Sequence, residues 1–178
     1  HGHPFDFDQG GRPERKSRDG QGPWPASRGR RAEVFIDGAC SGNPGPAGIG
    51  MVLTDGDAKG VRRLSKYVGE ATNNIAEYLA LVYALQEALR FGYDEVTVKT
   101  DSELLVRQVR GEYKVRHPQL RWFHDLAIHL MQGFGAVHIE HIPRTQNAQA
   151  DRLAKQAIKN ATFETKSPKA GFVWERRG

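Results

Sequence analysis

The chain has 178 residues, a net charge of +5 and a single cysteine, Cys40. That length suits one domain with short extensions, large enough to bury roughly 70% of its unfolded surface without covalent staples. One cysteine excludes an internal disulfide framework and fits a reducing, cytoplasmic setting; no apolar run approaches the roughly 20 residues of a membrane span, and the polar N-terminus, which lacks an initiating Met, does not read as a signal peptide.

Residues 1–32 are rich in Gly, Pro, Arg, Ser and Asp with few apolar positions, which predicts a disordered, mildly basic tail. They hold seven Lys/Arg against four Asp/Glu, and residues 160–178 hold four against two, so the stretch between is balanced. A domain over 33–160, with tails at 1–32 and 161–178, is expected. Val34-Phe35-Ile36 reads as a short strand buried on both faces and ended by Asp37-Gly38. Turn residues from Ser41 to Pro46 lead to a second strand over Gly48 to Thr54, then a hairpin signal at Asp55-Gly56-Asp57 and a third strand over Val61 to Val68. Three strands joined by short turns make an antiparallel meander.

A long helix is predicted from about Asn74 to Phe91, capped by Thr72 or Asn73 and ended by Gly92. Its main apolar stripe is Ile75, Tyr78, Leu79, Val82, Leu85 and Leu89. A second apolar face, Leu81, Ala84 and Ala88, makes it a central helix packed on the sheet and under other helices. Glu77 stands one turn before Leu81 on that second face, where a carboxylate is desolvated unless it meets a cation. A fourth strand over Glu95 to Thr100 follows. Then come a helix capped by Asp101-Ser102 to Val109, another from Pro118 to Met131, a fifth strand over Ala136 to Ile142, and a last helix capped by Asn147 and running to about Lys159. The order β-β-β-α-β-α-α-β-α implies an α/β fold: a five-stranded mixed sheet with helices on both faces.

Four acids fall at element junctions: Asp37 at the end of the first strand, Asp101 at the end of the fourth, and Glu77 and Asp151 in the first turns of the central and last helices. If the first and fourth strands are parallel neighbours, Asp37 and Asp101 emerge about 4.8 Å apart, close enough to share a hard cation. Mg²⁺ or Mn²⁺ suits an oxygen-only site, and two such ions could serve phosphoryl transfer. Each acid alone has an ordinary explanation: a helix cap for Asp101, helix-dipole complementation for Asp151, a turn start for Asp37. Glu77 is the hardest to explain that way.

The order and content of four motifs go further. Asp37-Gly38-Ala39-Cys40-Ser41-Gly42-Asn43-Pro44-Gly45-Pro46-Ala47-Gly48 resembles the opening motif of type 1 ribonuclease H. Thr72-Asn73-Asn74-Ile75-Ala76-Glu77 resembles its second motif and Thr100-Asp101-Ser102 its third. Arg144-Thr145-Gln146-Asn147-Ala148-Gln149-Ala150-Asp151 resembles the last motif in a subgroup of prokaryotic members. The resemblance spans Glu33 to about Lys159. It implies the ribonuclease H-like fold, with three antiparallel strands plus two parallel ones, and a monomer. It also implies an endoribonuclease that cuts the RNA strand of RNA–DNA hybrids, with other RNA-containing duplexes as further partners. Asp37, Glu77, Asp101 and Asp151 would ligate two Mg²⁺ ions, with Mn²⁺ as substitute, and the products would carry 5′-phosphate and 3′-hydroxyl ends. Asn43, Asn73 and Asn74 match positions that test 2′-hydroxyls in the minor groove, chemistry an amide can perform because it both donates and accepts. Thr72 matches a phosphate contact.

Two departures from the family pattern stand out. Many bacterial members carry a histidine in the loop before the last aspartate, and Pro143 to Ala150 holds none; Arg144 could neutralise phosphate there, or His141 could reach in from the strand end. The long basic protrusion of some members is absent. Arg107, Arg110, Lys114, Arg116 and Arg121, opposed by Glu112, remain as a shorter basic stretch that suits a polyanion or is simply a solvated helix face. Two other functions are open: a non-catalytic nucleic-acid binder on the same fold, which the full set of four acids argues against, and a DNA-cutting nuclease, which the asparagine-rich motifs argue against.

Overall fold

The computed structural model describes residues 29–56 and 60–164. In chain order the elements are β1 (Arg31–Cys40), β2 (Gly45–Asp55), β3 (Val61–Ala71), α1 (Asn73–Arg90), β4 (Glu95–Thr100), α2 (Glu103–Val109), α3 (Pro118–Met131), β5 (Ala136–His141), one 3-10 turn (Arg144–Gln146) and α4 (Ala148–Glu164). The expected order of strands and helices is the observed one. The sheet runs β3-β2-β1-β4-β5, with β1, β2 and β3 antiparallel and β4 and β5 parallel to β1.

Ordered structure extends past both expected domain ends. β1 begins at Arg31 rather than Glu33, because two arginines grouped with the tail belong to the fold. Arg30 donates to the Phe91 carbonyl at 2.9 Å and pairs with Asp55 at 2.6 Å, while Arg31 meets Glu95 at 3.1 Å. Tyr93 donates its hydroxyl to the same Asp55 carboxylate at 2.7 Å, so this corner joins the start of β1, the end of β2 and the turn after α1. At the other end α4 runs to Glu164, since the small apolar positions Ala150, Ala154 and Ala157 continue to Ala161, all buried. The rest of the two expected tails lies outside the described residues.

The core lies between the sheet and α1. Side chains alternate across a strand, and Ala32, Val34 and Ile36 of β1 align with Val96, Val98 and Thr100 of β4 on one buried face. The expectation that β1 is buried on both faces fails at its other side. Phe35 is only partly covered there, with the Lys99 ammonium 5.5 Å from its ring, because α4 crosses β1, β2 and β3 and leaves β4 and β5 open. α1 behaves as its two apolar stripes require. Ile75, Ala76, Tyr78, Ala80, Leu81, Val82, Ala84, Leu85, Ala88 and Leu89 are buried, α3 packs along its outer side, and Tyr78 donates to Gln108 of α2 at 2.8 Å in the interior. Thr72 is its N-cap, accepting from the Ile75 amide, and Gly92 follows the helix at φ 77°, a conformation glycine adopts without a Cβ clash.

Candidate active site

The site sits where the parallel ladder between β1 and β4 stops. The last aligned pair is Ile36 with Thr100, so Asp37 and Asp101 emerge from neighbouring strands at the same level, as their spacing predicted. β1 itself does not end at Asp37; its pairing with β2 continues to Cys40, which fixes the Asp37 backbone rather than leaving it in a turn. Asp101 is not a helix cap either. Ser102 caps α2 by accepting from the Leu105 amide, which leaves the Asp101 carboxylate free for the site.

Glu77 arrives from above. It lies just past the first turn of α1, slightly deeper than expected, because the helix starts at Asn73. Gly38 lets α1 come this close: a Cβ there would lie 2.5–2.7 Å from the Ala76 carbonyl group and the Glu77 nitrogen. Ligand atoms of Asp37, Glu77 and Asp101 consequently lie within 4.8 Å of one another. Asp151, in the first turn of α4, stands beside this trio rather than within it. It is close enough to Asp37 to raise its pKa, and its own carboxylate pairs with Lys155 one turn on, at 2.9 Å. Arg144 reaches Asp101 at 3.7 Å from a side chain that is 90% exposed.

Three converging carboxylates out of water are unfavourable as three anions. Burial, then the Asp101 charge, pushes the Asp37 carboxyl up to about 7. Burial, then the Asp37 charge, pushes Glu77 well above the usual range. The Glu77 Oε2 atom is buried with no hydrogen-bond partner. An all-oxygen donor set with an orphaned buried carboxylate oxygen fits a hard divalent cation. Burial, then Glu77, also raises the nearby Cys40 thiol, whose sulfur contacts the Ala71 carbonyl at 3.3 Å.

These shifts set a stability test. An Asp37 pKa raised from 3.8 to about 7 stabilises the folded state fully below pH 3.8, and that contribution is lost as pH rises through about 7. Its size is roughly 4 kcal/mol. In chelator, the melting temperature is expected to fall by about 10 °C between pH 4.5 and 8 from this group. Mg²⁺ should restore most of the loss at pH 8 and little at pH 5, where protons hold the ligands. Equal Mg²⁺ stabilisation at both pH values, in thermal melts, would refute a carboxylate metal site.

The expected nucleic-acid contacts gather at one rim. Asn43, Asn73 and Asn74 are exposed, and the Asn43 Oδ1 accepts from the Asn73 backbone amide at 3.0 Å, tying the β1–β2 loop to the start of α1. Asn43 therefore keeps its Nδ2 donors and the second lone pair of its Oδ1 for a ligand. His141 ends β5 opposite Thr100, exposed, one residue from the level of Asp101. The basic stretch is smaller than its sequence suggests. Arg107 is engaged by Glu103 at 3.0 Å and Glu112 at 3.2 Å, and Arg110 donates to the Ile139 carbonyl at 2.7 Å. Lys114, Arg116 and Arg121 remain exposed beside Tyr113 and Trp122.

The reverse-transcriptase-like family pattern matches residues 35–157. Ribonuclease HI of Halobacterium salinarum is 42% identical over 134 residues, 75% of this chain and 67% of that protein. The chain belongs to the type 1 ribonuclease H family. The crystal structure of the Halobacterium ribonuclease H1 superposes with a TM-score of 0.71, covering 73% of this chain and 98% of that one. That of LC11 ribonuclease H1 in complex with an RNA/DNA hybrid gives 0.69 at 43% identity, covering 74% and 99%. A bifunctional protein of Mycobacterium tuberculosis is 43% identical over 126 residues, but the chain spans only 35% of its length. As a ribonuclease H family member the chain is a hydrolase of the nuclease class.

Sequence reasoning missed two parts of the site. Asn147 was expected to cap α4; instead its side chain crosses to β1 and donates to the Ile36 carbonyl at 2.8 Å. The seam that seats α4, Gly48 and Gly50 of β2 against Ala150, Ala154 and Ala157, was not visible as a contact either.

Proposed function

We propose that this chain hydrolyses the RNA strand of RNA–DNA hybrids, with Asp37, Glu77, Asp101 and Asp151 holding two divalent cations, Mg²⁺ or Mn²⁺. The observation that carries the reading is the trio of buried Asp37 with half-buried Glu77 and Asp101, its ligand atoms within 4.8 Å, joined by Asp151 from α4. The ions, when bound, would activate water and stabilise the leaving oxygen, which gives 5′-phosphate and 3′-hydroxyl ends. The chain's own residues do the rest. Asp37 and Asp101, on adjacent strands, and Glu77, on the buried helix, form a rigid cradle whose members must lose their protons as metal enters, so at limiting metal activity rises with pH. The Asn43, Asn73 and Asn74 rim faces the minor groove and reads 2′-hydroxyls, Thr72 supports the backbone, and Arg144, exposed beside Asp101, neutralises a phosphate next to the cut. All the proposed site residues come from one chain, so the reading takes the monomer as the active unit, and its cytoplasmic setting rests on the single cysteine.

The test is cleavage of matched RNA–DNA hybrid, DNA duplex and RNA duplex, with Mg²⁺ and with chelator. Hybrid cut only with metal is the expected result. DNA duplex cut equally well would favour the DNA nuclease, and binding without cleavage the non-catalytic reading. The groove reading adds a finer expectation. A duplex with one ribonucleotide in a DNA strand should be cut at least about 10-fold more slowly than one with a continuous RNA strand, because at roughly 1 kcal/mol per hydrogen bond the loss of two contacts costs that much. Equal rates would refute the three-asparagine contact.

A further inference from the structure

One buried polar side chain beside the carboxylates has no role in the chemistry so far. Asn147 is 1% exposed, although it stands in the exposed loop between β5 and α4, where its neighbours Gln146 and Ala148 are open to solvent. Its Nδ2 donates to the Ile36 carbonyl across 111 residues of sequence, at 2.8 Å. Ile36 is the residue before Asp37 and forms the last parallel pair with Thr100, the residue before Asp101. The Asn147 backbone carbonyl meanwhile accepts from the Asp151 amide at 3.1 Å, the first helical bond of α4. One residue therefore touches the main chain next to one carboxylate and the main chain of another, from a fixed position. Burying an amide at a helix start is costly without partners, and the same side chain could have capped α4 from solvent at no such cost. It does not: Oδ1 is buried with no hydrogen-bond partner, so the contact to β1 is made at the expense of the cap.

We propose that Asn147 is a positioning residue that sets the separation of the Asp37 and Asp151 carboxylates, holding the Ile36 carbonyl with its side chain and the Asp151 amide with its backbone. This rests on the reading of Asp37 and Asp151 as ligands of one metal site. The side-chain bond is the part that substitution removes. Without it, the 3-10 turn and the first turn of α4 lose their side-chain hydrogen bond to β1 at the level of the site, while the rest of α4 stays seated on β2. The consequence should appear in metal binding and turnover, not in recognition of the hybrid, whose proposed contacts Asn43, Asn73 and Asn74 lie on other elements.

The experiment uses the full chain and compares Asn147→Ala, Asn147→Ser and Asp151→Asn with the unaltered protein. It combines calorimetric Mn²⁺ titration with steady-state cleavage of a hybrid, below the lowest melting temperature of the set. Asn147→Ala is expected to weaken Mn²⁺ binding about 10- to 100-fold, as loss of an orienting contact behind a ligand does. kcat at limiting metal should fall in proportion, KM for the hybrid should stay within about twofold, and excess metal should recover much of the lost kcat. Asn147→Ser, which keeps a donor on a shorter side chain, should fall between the two. Unchanged Mn²⁺ affinity in both Asn147 variants, with a lowered melting temperature or a raised KM as the sole effect, would overturn the positioning role. Unchanged Mn²⁺ affinity and turnover in Asp151→Asn would instead overturn the four-carboxylate reading on which it rests.

Discussion

Asp101→Asn is expected to lower Mg²⁺-dependent cleavage of an RNA–DNA hybrid by more than about 100-fold and, in chelator at pH 8, to raise the melting temperature. The first effect follows from position. Asp101 follows β4 at the level where Asp37 follows the last β1–β4 pair, and its ligand atom lies within 4.8 Å of those of Asp37 and Glu77. Losing an outer contact to a metal ligand costs about 10- to 100-fold, so losing a ligand charge should cost more. The second effect has the opposite sign for the same reason. The Asp101 charge pushes up both Asp37 and Glu77, so without metal its removal relieves repulsion worth on the order of 1 kcal/mol. For a domain of this size that is a rise of about 2–4 °C. The lost contact with Arg144 subtracts little, because that guanidinium is 90% exposed. Hybrid cleavage at matched Mg²⁺, with melts in chelator alongside, reads both. Near-normal turnover would remove Asp101 from the metal site, and a lowered melting temperature would mean that it is a structural anchor instead.

The features legible in the sequence were those with a local signature. The four acids could be placed because each stands at a junction that periodicity locates: β4 and α3 begin and end where their patterns predict, and Asp101 follows β4 directly. The Glu77 environment was also readable, since a carboxylate within an otherwise apolar helix face has few places to go but a buried site. What the sequence hid is non-local. Asn147 looks like any helix-capping asparagine, and only its distance to Ile36 shows where the amide is spent. Arg30 and Arg31 look like the end of a basic tail until Asp55 and Glu95 are found opposite them. The same holds for Arg107, which looked available to a polyanion although Glu103 and Glu112 already engage it. The both-faces burial expected of Val34-Phe35-Ile36 failed because a short apolar run says nothing about how far a distant helix reaches across the sheet.

The seam beneath α4 gives the second large effect. Gly50→Ala is expected to destabilise the fold by roughly 2–3 kcal/mol, as overpacking a filled contact does, and to lower kcat well beyond what that loss explains. Gly50 is the cross-strand partner of Asp37, and it faces α4. A Cβ there would fall on the Ala150 carbonyl oxygen, 2.8 Å from the Ala154 nitrogen and 3.0 Å from the Ala150 carbonyl carbon. These are backbone atoms of a helix, which cannot swing aside as a side-chain tip can, so α4 itself must lift. Ala150 directly precedes Asp151, so the displacement reaches the fourth carboxylate undiminished. A misplacement of about 1 Å at a reacting site can cost about 100-fold in rate, and a loss of 10- to 100-fold is expected here, with a higher Mg²⁺ requirement. Gly60→Ala supplies the control, because a Cβ at Gly60 meets nothing within 4 Å; it should leave both stability and rate unchanged. Cleavage measured well below the melting temperature separates the two consequences. If Gly50→Ala melts early yet turns over normally when folded, the glycine seam holds the helix without placing Asp151. If turnover falls while KM for the hybrid holds, the close approach of β2 and α4 is what brings the last carboxylate to the other three.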